Sequence, residues 1–292
     1  MSRTPQDGPV RSCIVTGASS GIGAASARAL ARAGYRVAIA ARRADLLEEL
    51  AKQIAQEGGV ALPVPADLSD EGDTASLVRQ TLDAFGRIDL LVNNAGYSPA
   101  AALEQLPRSE IRRAFEVNLI SGLQLIGAVT PAMREQGGGR ILNMSSLAGS
   151  VPAPIAVVYS ATKAAIDTAS QCLRLELSTW NIGVSVIVPG FVDTDTFDNS
   201  REMARDLRAD EANPYRQLMF NLDDFANGQL ERAISPEAVA SVVVKAATAR
   251  RLKSHYYAPF GARLQSTLLG AMPTPWLERI LLKLYKVPAP ER

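Results

Sequence analysis

Cys13-Ile-Val-Thr-Gly17-Ala-Ser-Ser-Gly21-Ile-Gly23 joins a short apolar strand to an alanine-rich helix, and its reading decides the fold. Glycines between the two elements let the turn tighten and let backbone N–H groups approach an anion at the helix N-terminus, where the partial charge is positive. The spacing is Gly-x-x-x-Gly-x-Gly, not the Gly-x-Gly-x-x-Gly of the commoner dinucleotide-binding turn. Alone, such a turn is equally a plain strand-to-helix connection, so the rest of the chain must decide.

Working outward, apolar runs at 11–16, 35–41, 60–65, 88–93, 139–144 and 183–188, with a short one near 255–258, alternate with helical patterns. The helices are predicted at about 21–33, 43–57, 71–85, 107–135, 155–180 and 235–249. This alternation predicts an α/β fold: a single-domain, doubly wound Rossmann arrangement with an about seven-stranded parallel sheet and helices on both faces. Right-handed crossovers put the C-terminal ends of all strands on one edge, where open α/β sheets bind ligands. Gly17, Asn94, Ser146 and Pro189 each fall just past a strand end, so they are expected to converge on one crevice. With no linker, repeat or low-complexity run, residues 1–292 read as one domain, with a distinctive segment at about 195–235 and a C-terminal extension at about 250–292.

Tyr159-Ser-Ala-Thr-Lys163 places a tyrosine and a lysine on one helix face, and Ser146 stands thirteen residues before the tyrosine. An ammonium held there favours the phenolate, drawing a side chain of ordinary pKa about 10 toward neutrality. Such a tyrosine can give a proton to a carbonyl oxygen, or take one from an alcohol, while hydride moves at carbon. Further signals follow in order. Asn93-Asn94-Ala95-Gly96 succeeds the strand Ile88–Val92, and Asn118 lies in Phe115-Glu-Val-Asn-Leu119. Ser145-Ser146 ends the strand Arg140–Met144, and Pro189-Gly190 closes Val184–Val188, with Thr194 four residues beyond the glycine.

Through these motifs, over roughly residues 10 to 250, the chain resembles the short-chain dehydrogenase/reductase family. The resemblance implies an oxidoreductase using a nicotinamide cofactor. It implies that Tyr159 is the acid/base and that Lys163 lowers its pKa and binds the nicotinamide ribose. Ser146 would donate to the substrate oxygen, with Ser145 in support, and Asn118 would bend its helix and hold a water in a proton relay to the lysine. By the same matching, Gly17, Ser19, Gly21, Ile22 and Gly23 cradle the phosphates, and Asp67 and Leu68 meet the adenine. Asn94, Ala95 and Gly96 pass the adenosine ribose, while Pro189, Gly190, Val192 and Thr194 hold the carboxamide. Asp67 also suits a helix cap, and Asn118 an irregular helix turn. Homodimers or homotetramers through the 107–135 and 155–180 helices are a further implication.

Charge bears on the cofactor. Strand two ends Ala38-Ile-Ala-Ala41-Arg42-Arg43, and Ala41 stands where the family's NAD-binding members carry an acidic residue. Arg42 and Arg43 offer guanidinium forks suited to a 2′-phosphate, so NADP(H) is expected over NAD(H). The alternative is that both arginines simply open the next helix in solvent.

Composition excludes other chemistries. A net charge of +1 gives no reason to expect nucleic acid as a partner. His255 is the only histidine, so neither a multi-histidine metal site nor a serine–histidine hydrolase is expected, and it reads as structural or surface. Cys13 and Cys172 are expected as buried thiols of a reducing cytoplasm. The first ten residues lack the apolar core of a secretory signal, and no apolar stretch approaches the about 20 residues that span a bilayer. A cytoplasmic protein is expected.

Between Thr194 and Pro236, where the resemblance implies a substrate lid, lie Phe197, Met203, Leu207, Tyr215, Leu218, Met219, Phe220, Leu222 and Phe225. They either line a pocket for a lipophilic substrate or pack this lid onto its own domain. Residues 250–292 hold eight Lys/Arg against two Asp/Glu. Trp276–Lys286 reads as an amphipathic helix with Leu277, Ile280, Leu281, Leu284 and Tyr285 on one stripe, which packs on protein or lies on an anionic membrane surface through 275–287. The pattern Tyr256-Tyr257…Gly261-Ala262 and Pro273-x-x-Trp276-Leu277 is loosely similar to the retinol and hydroxysteroid dehydrogenase branch, which implies a lipophilic alcohol or ketone. The competing readings are a 3-oxoacyl thioester reductase, a non-catalytic NADP-binding sensor and a membrane-surface scaffold.

Overall fold

Strands whose residues are nearly all apolar, with no in–out alternation, require cover on both faces. In the computed structural model, which describes residues 10–194, 196–259, 261, 264, 268–270 and 272–287, they have it. The side chain of Phe197, Ala262 and residues 1–9 and 288–292 lie outside the described residues. Strands β1 (Ser12–Thr16), β2 (Arg36–Ala41), β3 (Val60–Pro65), β4 (Leu90–Asn93), β5 (Gly139–Met144), β6 (Ile182–Pro189) and β7 (His255–Ala258) form one parallel sheet in the order β3-β2-β1-β4-β5-β6-β7. The order reverses between β1 and β4, which opens a crevice at their C-terminal ends.

One face is covered by α1 (Gly21–Arg32), α2 (Ala44–Gln56) and α10 (Pro236–Thr248), whose Leu30, Leu47, Val239 and Val243 pack on Val15, Val37 and Leu142. The other is covered by α3 (Glu71–Phe85), α5 (Ser121–Glu135) and α6 (Val157–Leu177), with Leu77, Leu125, Val129 and Met133 against Ile14, Leu91 and Ile141. The expected fold and strand positions hold, with ends differing by a residue or two.

Four expectations are amended. The helix expected over 107–135 is three elements: α4 (Arg108–Phe115), a π-turn at Glu116–Ile120, and α5. One extra residue per turn there rotates Asn118 off the regular helical track and into the protein. Within the lid, where no helix was read, stand α7 (Thr196–Met203), α8 (Arg205–Ala209) and α9 (Arg216–Leu230). Cys172 is exposed, because it points away from the α6 face that buries Ile166, Ser170 and Leu177; Cys13 is buried as expected, and both thiols are free. In the tail helix, α11 (Thr274–Leu284), the single expected stripe divides: Leu281 and Tyr285 are buried while Ile280 and Leu284 face outward.

Candidate active site

Thr16, the last residue of β1, organises the crevice. Its hydroxyl accepts from the backbone N–H groups of Asn94 (2.9 Å) and Ala95 (3.0 Å), tying the loop after β4 to the end of β1. Asn94 returns the contact, its Nδ2 donating to the Thr16 carbonyl at 2.9 Å. The glycines are demanded by this closeness. A Cβ on Gly17 would stand 2.9 Å from the Ala95 Cα, and one on Gly23 would run into the Gly17 carbonyl. Gly17 and Gly21 also adopt φ of 63° and 53°, a region costly for other residues.

The turn ends at an anion-ready helix terminus. Ser20, the N-cap of α1, makes no side-chain cap bond, and the first turn carries no acidic residue. Its N–H groups therefore remain for an anion such as a diphosphate. Arg43 reaches across from the end of β2, donating to the hydroxyls of Ser19 (2.9 Å) and Ser20 (3.0 Å). Arg42 beside it is exposed and makes no hydrogen bond or ion pair among the described residues. A dinucleotide with a phosphorylated ribose fits this donor set.

Asp67 forms a local turn, accepting from the Ser69 N–H at 3.0 Å and the Ser69 hydroxyl at 2.7 Å, and these bonds hold its carboxyl below the usual range. It does not cap α3. Asp70 does, accepting from Gly72 and Asp73. Leu68 is buried at the rim of the small cavity beside Ala95 and Asn118. On the opposite side, Gly190 N–H donates to the Ala258 carbonyl, Val192 is buried and bridges Ile234, and Thr194 overhangs Gly21. The two halves of the expected cofactor site thus meet.

Asn118 of the π-turn, Ser146 after β5, and Tyr159 and Lys163 of α6 gather at this edge. Asn118 spends its amide on structure: Oδ1 accepts from the Tyr97 N–H (2.9 Å), and Nδ2 donates to the Tyr97 carbonyl (2.8 Å) and Thr162 Oγ1 (3.2 Å). Gly96 lies over it, and a Cβ there would sit 3.2 Å from Asn118 Oδ1 and 3.5 Å from Lys163 Nζ. Lys163 is buried, its Nζ donating to the Met144 carbonyl at 2.9 Å and standing 5.6 Å from the centre of the Tyr159 ring. Ser145 Oγ donates to the Lys163 carbonyl at 3.2 Å, which pins α6 to the end of β5.

Burial is the largest influence on both members of the Tyr159–Lys163 pair. Burial lowers Lys163 to about 8, since an ammonium loses its hydration there. Burial likewise raises Tyr159, opposed by a side-chain hydrogen bond with Ser146. The hydrogen bond with Ser146 favours the phenolate. Ser146 Oγ also accepts from the Ala148 N–H at 3.2 Å, which fixes its rotamer beside the tyrosine.

Three residues were missed by motif reading. Thr16 precedes the first glycine and was given no role. Tyr97 follows the Asn-Asn-Ala-Gly motif, donates to Glu110 at 2.8 Å and lies under the Arg113 guanidinium. Ile155, between Ser146 and Tyr159, takes φ 64° although it is β-branched, with its side chain buried against Ala102, Ala204 and Met219.

A doubly wound sheet with this edge defines a class, and comparison with known proteins agrees. The short chain dehydrogenase family model matches residues 11–205, and the chain belongs to the short-chain dehydrogenase/reductase family, whose members are oxidoreductases. It is 31% identical to the uncharacterized oxidoreductase YusZ of Bacillus subtilis over 90% of this chain and 93% of that protein. It is 35% identical to a 3-oxoacyl-[acyl-carrier-protein] reductase of Synechocystis over 64% of this chain and 76% of that one. A metagenomic short-chain oxidoreductase in complex with NADP superposes with a TM-score of 0.69 at 30% identity, covering 85% and 96% of the two chains. A family member from Burkholderia phymatum in complex with NAD gives 0.77 at 26% identity, covering 94% and 95%.

Proposed function

We propose that this chain is an NADP(H)-dependent oxidoreductase that interconverts a carbonyl and an alcohol on a lipophilic small molecule. The observation that carries the reading is the placement of half-buried Tyr159, hydrogen-bonded to Ser146, beside buried Lys163 at the crevice edge. A nicotinamide cofactor supplies or accepts the hydride when bound. Tyr159 then passes its proton to the substrate oxygen in reduction, or receives it in oxidation, and Ser146 steadies the negative charge that develops on that oxygen. Lys163 returns a proton toward Tyr159 and holds the ribose hydroxyls. Asn118 acts by position, keeping the π-turn and the loop at Tyr97 against α6.

Preference for the phosphorylated cofactor rests on Ala41 in place of an acid and on Arg42, whose guanidinium is exposed beside the turn that Arg43 braces. The lipophilic substrate rests on the lid, although Met219, Leu207, Leu218 and Leu222 pack inward and, among the lid's described large apolar side chains, Met203 and Phe220 lie open. The test is cofactor oxidation against steroid ketones, retinal, aliphatic ketones and 3-oxoacyl thioesters with NADPH and NADH. NADPH-dependent turnover of apolar ketones is expected. Preference for the thioesters moves the substrate to acyl chains, and silence alongside tight NADPH binding replaces the enzyme with a sensor.

A further inference from the structure

Helix α11 has two working faces. Its inner face, Leu281 and Tyr285 with half-buried Leu277, packs on Val151 and on Leu222 and Phe225 of the lid. Its outer face carries Trp276, Ile280 and Leu284 at i, i+4 and i+8, exposed by 66%, 43% and 44%. Arg279 and Lys283 border one side of this stripe and Lys286 follows the helix end; all three are exposed, and none forms an ion pair among the described residues. From 274 to 287 the only acidic residue is Glu278, on the far side of the wheel from Trp276.

We propose that this outer face docks on an anionic lipid surface. An indole and two aliphatic side chains bordered by cations match the boundary between acyl chains and negatively charged headgroups. A second copy of the chain suits the face less well. A two-fold contact would set Arg279, Lys283 and Lys286 against their own counterparts, and a stripe of three apolar side chains is far below the about 1,000 Å² that a stable protein interface buries. The inner face of the same helix touches the lid, so docking would place the substrate end of the crevice next to the bilayer. The proposal stands independently of the reaction assigned above.

Full-length protein, in a Trp180→Phe background that leaves Trp276 as the single indole, is mixed with phosphatidylcholine vesicles with and without phosphatidylglycerol. Co-sedimentation with the anionic vesicles and a blue shift of Trp276 emission are expected, both reversed by high salt. The triple variant Arg279→Gln/Lys283→Gln/Lys286→Gln should weaken binding on the order of 100-fold, and Trp276→Ser/Ile280→Ser should abolish co-sedimentation. These exposed sites leave folding intact, which thermal melts of both variants check. Equal binding to neutral and anionic vesicles, or none to either, overturns the proposal. So does a blue shift that appears with protein concentration alone together with a dimer lost in Trp276→Ser/Ile280→Ser, which would make the face an interface between copies.

Discussion

The two ends of the crevice are held by different means. At the cofactor end the ties are short and made mostly by backbone: the Thr16 hydroxyl between two N–H groups, the Asn94 amide on the Thr16 carbonyl, and glycines that admit no Cβ. At the substrate end the ties are long side chains between separate helices. Asp223 of α9 receives both Arg201 (3.1 Å) and Arg208 (3.0 Å), Gln105 donates to Asn213 at 2.6 Å, and Phe191, Phe225 and Tyr285 meet edge to face. Backbone ties specify residue type and spacing strictly. Side-chain ties between helices are satisfied by many sequences, and this is why one end carries motifs and the other does not.

The largest expected effect would separate the ends outright. Tyr159→Phe should lower turnover by about 10²–10⁴-fold while NADPH affinity, read by fluorescence titration, stays within error. Should the Phe variant turn over at near-normal rate, the acid/base assignment is wrong.

A second effect belongs to the buried ammonium. Lys163 has a folded pKa of about 8 against an ordinary 10.5, so between these values the folded chain binds fewer protons than the unfolded one. Stability contributed by this group therefore rises with pH through that window, and at lower pH its burial costs about 3 kcal/mol. Lys163→Met should flatten the rise in melting temperature between pH 8 and 10 measured without cofactor. It should also weaken NADPH binding and turnover together.

The arginines sharpen the comparison within the cofactor end. Arg42→Ala should weaken NADPH about 10-fold or more with little change for NADH, as expected for one lost charged hydrogen bond to a phosphate. Arg43→Ala should weaken both, because Arg43 braces Ser19 and Ser20 of the shared turn. Equal losses at Arg42 would assign it to the solvated surface.

The smallest effect probes the joint between the ends. Ile155→Ala removes packing against Met219 and keeps the left-handed backbone, whereas Ile155→Gly removes the same packing and relaxes the backbone. Chemical denaturation should find the glycine variant more stable than the alanine variant by about 1 kcal/mol.

The fold was legible because strand periodicity and glycine turns are local signals, and the seven strands followed from them. Ser146 was legible at the crevice from its place past a strand end, and Tyr159 and Lys163 as a pair from their spacing, whereas Asn118 joined them only through the family resemblance. What escaped reading depends on three-dimensional company. The π-turn leaves no mark in Glu116–Ile120 beyond Asn118 itself. The lid helices mix charged and apolar residues because each face meets a different partner. Tyr159 and Lys163 are perturbed chiefly by burial, which spacing cannot report.

The file of rings Phe191, Phe225 and Tyr285 runs from one residue past Pro189-Gly190, through the lid, to the tail, with centroids 5.9 and 5.1 Å apart. Aromatic rings fixed edge to face in an asymmetric setting acquire circular dichroism near 280 nm that loose rings lack. The molecule thus carries its own chromophore for lid order. Near-ultraviolet spectra of the wild type and of Tyr285→Leu, followed during titration with NADPH, would report the set of the substrate end without any label.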